Sequence, residues 1–263
     1  MIYLIWNKQD VEIIKKDYIK EGEYRLSNVF NRTPNAVRLM AFRLGIKKLD
    51  YRKNIHLSEV ENQVILGGLL GDLYCRIKKT CKNAQIEGAH CKEQEPYLLW
   101  KINMLKSLSF SLRRNRKGYL FFASKAYPCL NYYRDIFYKN GKKQVGNEIL
   151  NKINDFGLAI WYMDDGSFKK RDKYCYIHTN GFTYEENFLI KNWFINRWNI
   201  YPKIITHKDQ KRYPKKIWYL LKFDVSETKK LISIIKEYIH PTMKYKMGEL
   251  NDETKWETNK EEM

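Results

Sequence analysis

The sequence predicts an α+β protein, a duplicated core of helices and antiparallel strands preceded by a small all-α helix-turn-helix module. Three observations carry that reading. The first forty-odd residues show helical hydrophobic spacing punctuated by cap signals. An apolar helix ending in a carboxylate is written twice, once at residues 58–72 and once at 154–166. The same alternation of basic turn, strand, helix and basic hairpin follows each copy. A chain of 263 residues has room for a core and one appendage.

In the first segment Asn7 caps a helix with Asp10 in its first turn and an apolar stripe of Val11, Ile14 and Tyr18, with Trp6 placed as a staple. Gly22 ends it, and a short second helix runs through Leu26, Val29 and Phe30. Thr33-Pro34 is an N-cap followed by proline at the first helical position, opening a third helix that stops at Gly45. Its core face is Ala36, Val37, Met40, Ala41 and Leu44, which leaves Asn35, Arg38, Phe42 and Arg43 outward. In a helix-turn-helix the helix after the turn enters the major groove, so Asn35, Arg38 and Arg43 are candidate DNA contacts. The module spans 1–46, and a basic linker, 47–56, follows.

The first half of the core, 57–148, opens on the capping box Ser58-Glu59-Val60-Glu61 and proceeds through Val64, Ile65, Leu69 and Leu70 to Gly71-Asp72. The second, 149–248, opens on Asn154-Asp155 and ends its helix on Asp164-Asp165-Gly166. Small residues, Gly67 and Gly71 in one helix and Ala159 in the other, allow the two helices to approach closely. Their carboxylates then arrive side by side, where two negative charges require a cation. With only oxygen ligands evident, Mg²⁺ suits Asp72 and Asp165. His90 beside Cys91 could offer a metal-ligand pair, although it reads first as an ordinary buried or strand residue pair.

Behind Asp72 come Arg76 and Lys78, then a strand with Gln85, Ile86 and Glu87, a helix around Tyr97, Leu98, Trp100 and Leu105, and the hairpin of Arg113, Arg114, Arg116 and Lys117. Behind Asp165 come Lys169 and Lys170, a strand through Tyr176 to His178, a helix around Trp193, and a hairpin holding Lys208, Lys211 and Arg212. Each unit closes on a helix and lysines, Lys142-Lys143 in the first and Lys244-Tyr245-Lys246 in the second. Sheets with charges on one face and helices on the other make a basic saddle wide enough for a duplex.

The net charge of +19 is spread over every segment up to residue 248, and only the tail, 249–263, is net acidic. Such a spread fits a polyanion track, hence double-stranded DNA, and not a membrane, which would be met by one basic amphipathic helix. A composition 44% hydrophobic and 15% aromatic supports a packed core. Five cysteines without a Cys-x-x-Cys pair read as free thiols in a reducing compartment, and with no targeting segment evident the expectation is a cytoplasmic, nucleoid-associated protein of phage, bacterial or organellar origin.

Leu158-Ala159-Ile160-Trp161-Tyr162-Met163-Asp164-Asp165-Gly166 resembles the LAGLIDADG motif, and Gly67-Gly68-Leu69-Leu70-Gly71-Asp72 resembles its partner copy. The chain is similar to the monomeric, two-motif LAGLIDADG homing endonucleases, and its amino-terminal segment resembles Myb-like and homeodomain-like modules. The resemblance implies a pseudo-twofold αββαββα repeat and a monomer that needs no protein partner. It also implies Mg²⁺-dependent cleavage of a long specific site across the minor groove, leaving 3′ overhangs. It assigns metal binding to Asp72 and Asp165, basic catalytic roles to Lys143 and Lys246, and a water-organising role to Gln85. His178 and His207 are candidates for the second-half counterpart of Gln85. Two departures stand out, Leu73 and Ile160, each where the motifs carry a small residue; they are expected to loosen the helix pair. An intron maturase that binds RNA and a non-cleaving regulator are the alternatives on the same fold.

Overall fold

The computed structural model describes residues 6–46, 55–208 and 217–248. The chain divides into two units, Met1–Asn54 and Ile55–Met263. Most of the predicted linker, at 47–54, and the acidic tail lie outside the described residues.

The first unit is all helix. In α1 (Lys8–Val29) Asn7 accepts from the Asp10 amide at 2.7 Å while Asp10 accepts from the Asn7 amide at 3.2 Å. Gly22, at φ 74° and ψ 173°, breaks the helical path as its left-handed freedom allows, so this stretch is two helices joined at a kink. Thr33 caps α2 (Pro34–Arg43) by accepting from the Ala36 amide at 3.2 Å. Ile14, Tyr18, Leu26, Val37 and Ala41 form the small core. Trp6 packs edge-on against Phe30 at 5.5 Å with the Arg32 guanidinium over its ring, so it also closes the far end of α1.

The second unit repeats one order twice: α3 (Glu59–Leu70), β1 (Tyr74–Arg76), β2 (Gln85–His90), α4 (Glu95–Met104), β3 (Phe110–Arg114), β4 (Leu120–Ser124) and α5 (Asn131–Phe137). A short hairpin, β5 (Tyr138–Lys139) and β6 (Lys142–Lys143), and a single turn, α6 (Asn147–Leu150), lead into the second copy. That copy is α7 (Asp155–Asp165), β7 (Gly166–Lys169), β8 (Tyr174–Ile177), α8 (Tyr184–Trp198), β9 (Lys203–Lys208), β10 (Ile217–Phe223) and α9 (Val225–Ile235). The sheets are antiparallel with matching orders, β1-β2-β4-β3 and β7-β8-β10-β9. One αββαββα plan therefore serves both halves, as expected.

At the centre α3 packs on α7. Val64 to Leu70 and Gly157 to Asp164 are all buried, the signature of helices enclosed on every side. The contact is made by Gly67 against Gly157, because a Cβ at Gly67 would sit 2.2 Å from the Gly157 carbonyl oxygen. The small residue of the second helix is thus Gly157, two to three residues before the Ala159–Ile160 pair where it was expected. Ile160 is fully buried and does not open the interface, and Leu73 lies over Gly68, whose added Cβ would meet its side chain at 2.4 Å. The predicted loosening does not occur. Gly67→Ala must push one backbone off another, so we expect a loss of about 3 kcal/mol, the upper end for overpacking, read as a lower urea midpoint at unchanged slope.

Candidate active site

Both motif helices deliver an acid to the same place. Asp165 is the last residue of α7, and Asp72 follows the Gly71 cap of α3. Between them stands Asp164, whose carboxylate is saturated: Lys101 Nζ donates to Oδ1 at 2.6 Å, the Tyr97 hydroxyl donates to the same oxygen at 2.8 Å, and the Asp72 amide lies 3.3 Å from Oδ2. Lys101 and Asp164 side chains are 1% and 0% exposed, so this is a buried, neutralised pair. Asp164 is therefore a support for Asp72. Among the described residues nothing hydrogen-bonds or ion-pairs with the Asp165 carboxylate.

The two lysines that the resemblance implies occupy matching places. Lys143 Nζ donates to the carbonyls of Gly71 and Leu73, at 3.1 and 2.9 Å, on either side of Asp72. Lys246 Nζ donates to the carbonyls of Met163 and Asp164, at 2.5 and 2.8 Å, just before Asp165. Each ammonium thus sits where helix carbonyls lack intrahelical partners. An ammonium has three N–H donors, so one remains on each lysine.

The electrostatics mark the acids. Burial, then the charges of Asp72 and Asp164, push the Asp165 carboxyl up to about 8, against the lowering pull of Lys143 and Lys246. Asp72 is raised by burial and then by the Asp164 charge, and lowered by Lys101, His90 and Lys246. Burial also lowers both lysines, an effect opposed by the three acids. A carboxyl raised in the fold binds its proton more tightly there than in the unfolded chain, so its contribution to stability falls as pH rises between the unfolded value near 4 and about 8. We expect the chelator-treated protein to melt higher at pH 5.5 than at pH 8, with a divalent cation raising the melting temperature more at pH 8. Equal cation effects at the two pH values would contradict this balance.

The remaining predicted residues divide. The β1–β2 register pairs Tyr74 with Glu87 and Arg76 with Gln85, which puts Asp72 level with Ala89. Gln85 lies four residues farther along the strand, about 13 Å. It is buried, with its amide donating to Glu87 at 3.1 Å, so it is not brought to the acids. In the second half His178 is level with Asp165: its amide donates to the Asp165 carbonyl at 3.0 Å and its Nε2 lies 2.8 Å from Ser167 Oγ. His178, His207 and Lys169 line one hollow on the second sheet.

Arg76, Lys78 and Arg113 line a hollow on the first sheet with Glu87 and Phe121. Arg76 is ion-paired there with Glu87 at 2.7 Å. Arg114 corrects a prediction: alternation along β3 turns it away from Arg113, and it pairs with Glu95 of α4 at 2.6 Å, on the helix side of the sheet. Arg116, Lys117, Lys170 and Lys208 are exposed at strand ends and turns. Lys211 and Arg212 lie outside the described residues. In the first unit Asn35, Arg38 and Arg43 are exposed on α2, with Arg38 Nη2 donating to Asn35 Oδ1 at 2.7 Å.

Sequence reasoning missed Lys101 and Tyr97 as partners of Asp164, and read His90 first as an ordinary residue; His90 is 3% exposed with Nδ1 4.0 Å from Asp72 Oδ2. For Lys101 a signal was available, a lone charge inside the apolar run Tyr97-Leu98-Leu99-Trp100-Lys101-Ile102.

The model of the LAGLIDADG DNA endonuclease family matches residues 62–231, which takes in both motif helices and both sheets. The chain belongs to that family. Among similar proteins, a probable intron-encoded endonuclease 1 of Wickerhamomyces canadensis is 29% identical over 217 residues, covering 75% of this chain and 88% of that one. A probable intron-encoded DNA endonuclease 3 of Mycosarcoma maydis is 34% identical over 118 residues, 43% of this chain and 81% of its own. The RecA protein of Mycobacterium gastri is 34% identical over 128 residues; the match spans 30% of its length and 48% of this chain. The structure of the homing endonuclease I-WcaI bound to its DNA recognition sequence superposes with a TM-score of 0.62 at 22% identity, covering 73% of this chain and 88% of that one, a likeness of fold. Among the described residues no helix is long and apolar enough to cross a membrane.

Proposed function

We propose that this LAGLIDADG chain is a site-specific DNA endonuclease that acts as a monomer on a long duplex and hydrolyses one phosphodiester in each strand. The observation that carries the reading is the Asp165 carboxyl held at about 8 by burial and by Asp72, with Lys143 and Lys246 beside the two acids. Two carboxylates raised by burial and by a neighbouring acid, Asp164 beside Asp72 and Asp72 beside Asp165, form a donor set that fits a divalent cation, and their oxygens suit Mg²⁺. Asp72 and Asp165 would hold it. When bound, such an ion supplies Lewis acidity toward a phosphodiester.

The chain's own groups do the rest. Asp72 serves one strand and Asp165 the other, each fixed by the end of its motif helix. The remaining N–H of Lys143 or Lys246 meets the negative charge that builds on the phosphoryl oxygens. Asp164, neutralised by Lys101, holds the Asp72 amide without competing for the cation. Arg76, Lys78 and Arg113 on the first sheet, and Lys169, Lys170 and Lys208 on the second, lie along the duplex, with base edges read in the major groove. Cleavage across the minor groove leaves 3′ overhangs. In the first unit, Asn35, Arg38 and Arg43 on α2 contact a flanking stretch of DNA. Incubation with a randomised duplex library should give double-strand breaks at one site with Mg²⁺ and none with EDTA. A maturase or a regulator on this fold would leave every duplex intact.

A further inference from the structure

The two halves repeat one plan around the acids, and beside the acids they differ. The registers that put Ala89 level with Asp72 put His178 level with Asp165, so Ala89 and His178 are mirror positions of the repeat. Both face the outer side of their sheets: Ala89 lines the hollow that holds Arg76 and Arg113, and His178 lines the hollow that holds Lys169 and His207. At this level the first half offers a methyl group and the second an imidazole. His90, the next residue on β2, does not make up the difference. Strand alternation turns it inward, where it is buried with its ring edge-on to Tyr97 at 5.7 Å.

The imidazole of His178 is anchored. Its Nε2 lies 2.8 Å from the Oγ of Ser167, which stands on β7 opposite Tyr176. Nδ1 is bonded to Cγ and so stays near the level of its own backbone, which is the level of Asp165. Among the described residues Nδ1 has no hydrogen-bond partner. A phosphodiester offers acceptors only, so beside one the ring takes the tautomer with its proton on Nδ1, and the Ser167 hydroxyl donates to Nε2. In the first half Tyr74 stands where Ser167 stands in the second, and its ring packs edge-on against Tyr138 at 5.3 Å. The first half therefore lacks both the imidazole and its anchor.

We propose that the two strands are cut in a fixed order, the strand served by Asp165 first, because the Nδ1–H of His178 donates to a phosphoryl oxygen of that strand's scissile phosphate while Ala89 has no group to donate to the other. The inference rests on the reading of the chain as an endonuclease whose acids serve one strand each. A donor aimed at an oxygen that gains negative charge in the transition state lowers the barrier for its own strand alone. His178 is exposed, so water weakens the hydrogen bond, and the expected advantage is on the order of tenfold, below the roughly 10²–10³-fold of an enclosed oxyanion donor.

The test uses the full chain with Mg²⁺ and the duplex recovered from the randomised library, end-labelled on either strand and cut under single-turnover conditions, so that each strand gives its own rate. The wild-type protein should pass through a duplex nicked in one strand. His178→Ala should slow the cutting of that strand about tenfold and leave the rate of the other strand unchanged. His178→Gln, which keeps a donor, should hold most of the order; a residue that merely supports the fold would slow both strands together. Equal strand rates in the wild-type protein would overturn the inference and leave the nuclease reading standing. So would His178→Ala without effect, slowing both strands alike, or slowing only the strand cut second. If no duplex is cut with Mg²⁺, the nuclease reading falls and this inference falls with it.

Discussion

Asp165→Asn is expected to lower double-strand cleavage on the order of 10³-fold or more while raising the melting temperature of the metal-free protein at pH 8. The first effect is loss of a ligand and of the charge that a cation must meet beside a scissile phosphate, a contribution at least as large as that of one oxyanion donor. The second follows from the carboxyl at about 8. At that pH and above it carries a negative charge that burial and Asp72 both oppose, and the amide, of the same shape, does not. Duplex binding should survive, because the basic faces of the sheets are unchanged. Asp72→Asn should lose cleavage to the same degree with a smaller gain in stability, its side chain being 40% exposed. Opposite signs for activity and stability are what separate a metal-binding acid from a structural one. A helix-capping aspartate would lose stability on conversion to asparagine or leave it unchanged, and full cleavage by either variant would end the assignment.

The place where the two helix ends meet was legible in the sequence because a repeat writes it twice, an acid at a helix end and lysines at the close of each unit, among which the family resemblance singles out Lys143 and Lys246. Repetition turned residues that are individually unremarkable into a pattern. Gln85 was misplaced because position in an antiparallel pair depends on the hairpin between the strands, and Ile77–Ala84 is no short turn with a defined register. Two residues of slip at each end carry a side chain from the acid's level to the far end of the strand. Gly157 escaped notice because motif alignment drew attention to position 160, whereas helix contact is set by which face meets which, and that is fixed only when both helices are in place. Arg114 was counted with its neighbour Arg113, although strand alternation alone separates them. His90 and Lys101 belong to elements outside the motifs, and no local spacing ties them to Asp72 and Asp164. In the first unit the caps at Asn7 and Thr33 and the kink at Gly22 were readable because each is local chemistry.

Lys101→Met should cost about 3–5 kcal/mol in stability, the range for removing one partner from a buried ion pair. The reason lies in the packing as much as in the pair. Asp164 faces Gly71 across the helix interface, where an added Cβ would come within 2.5 Å of its own Cβ, so its carboxylate cannot swing to water when its partner is lost. Lys101 also lies 4.7 Å from the Tyr97 ring, a contact that disappears with the charge. The unpaired Asp164 would stand as a buried, uncompensated charge beside the Asp72 amide. Loss of the Lys101 charge also removes the strongest influence that lowers Asp72, so cleavage should fall more at pH 6.5 than at pH 8.5. Adding Asp164→Asn should restore most of the stability, because the amide keeps the Tyr97 hydrogen bond and no buried charge is left unpaired. If the double variant is as unstable as Lys101→Met alone, packing of the lysine stem, and not the charge, accounts for the loss. Chemical denaturation of the single and double variants separates the two, and the pH profile of cleavage reports whether Asp164 acts on the site through Asp72.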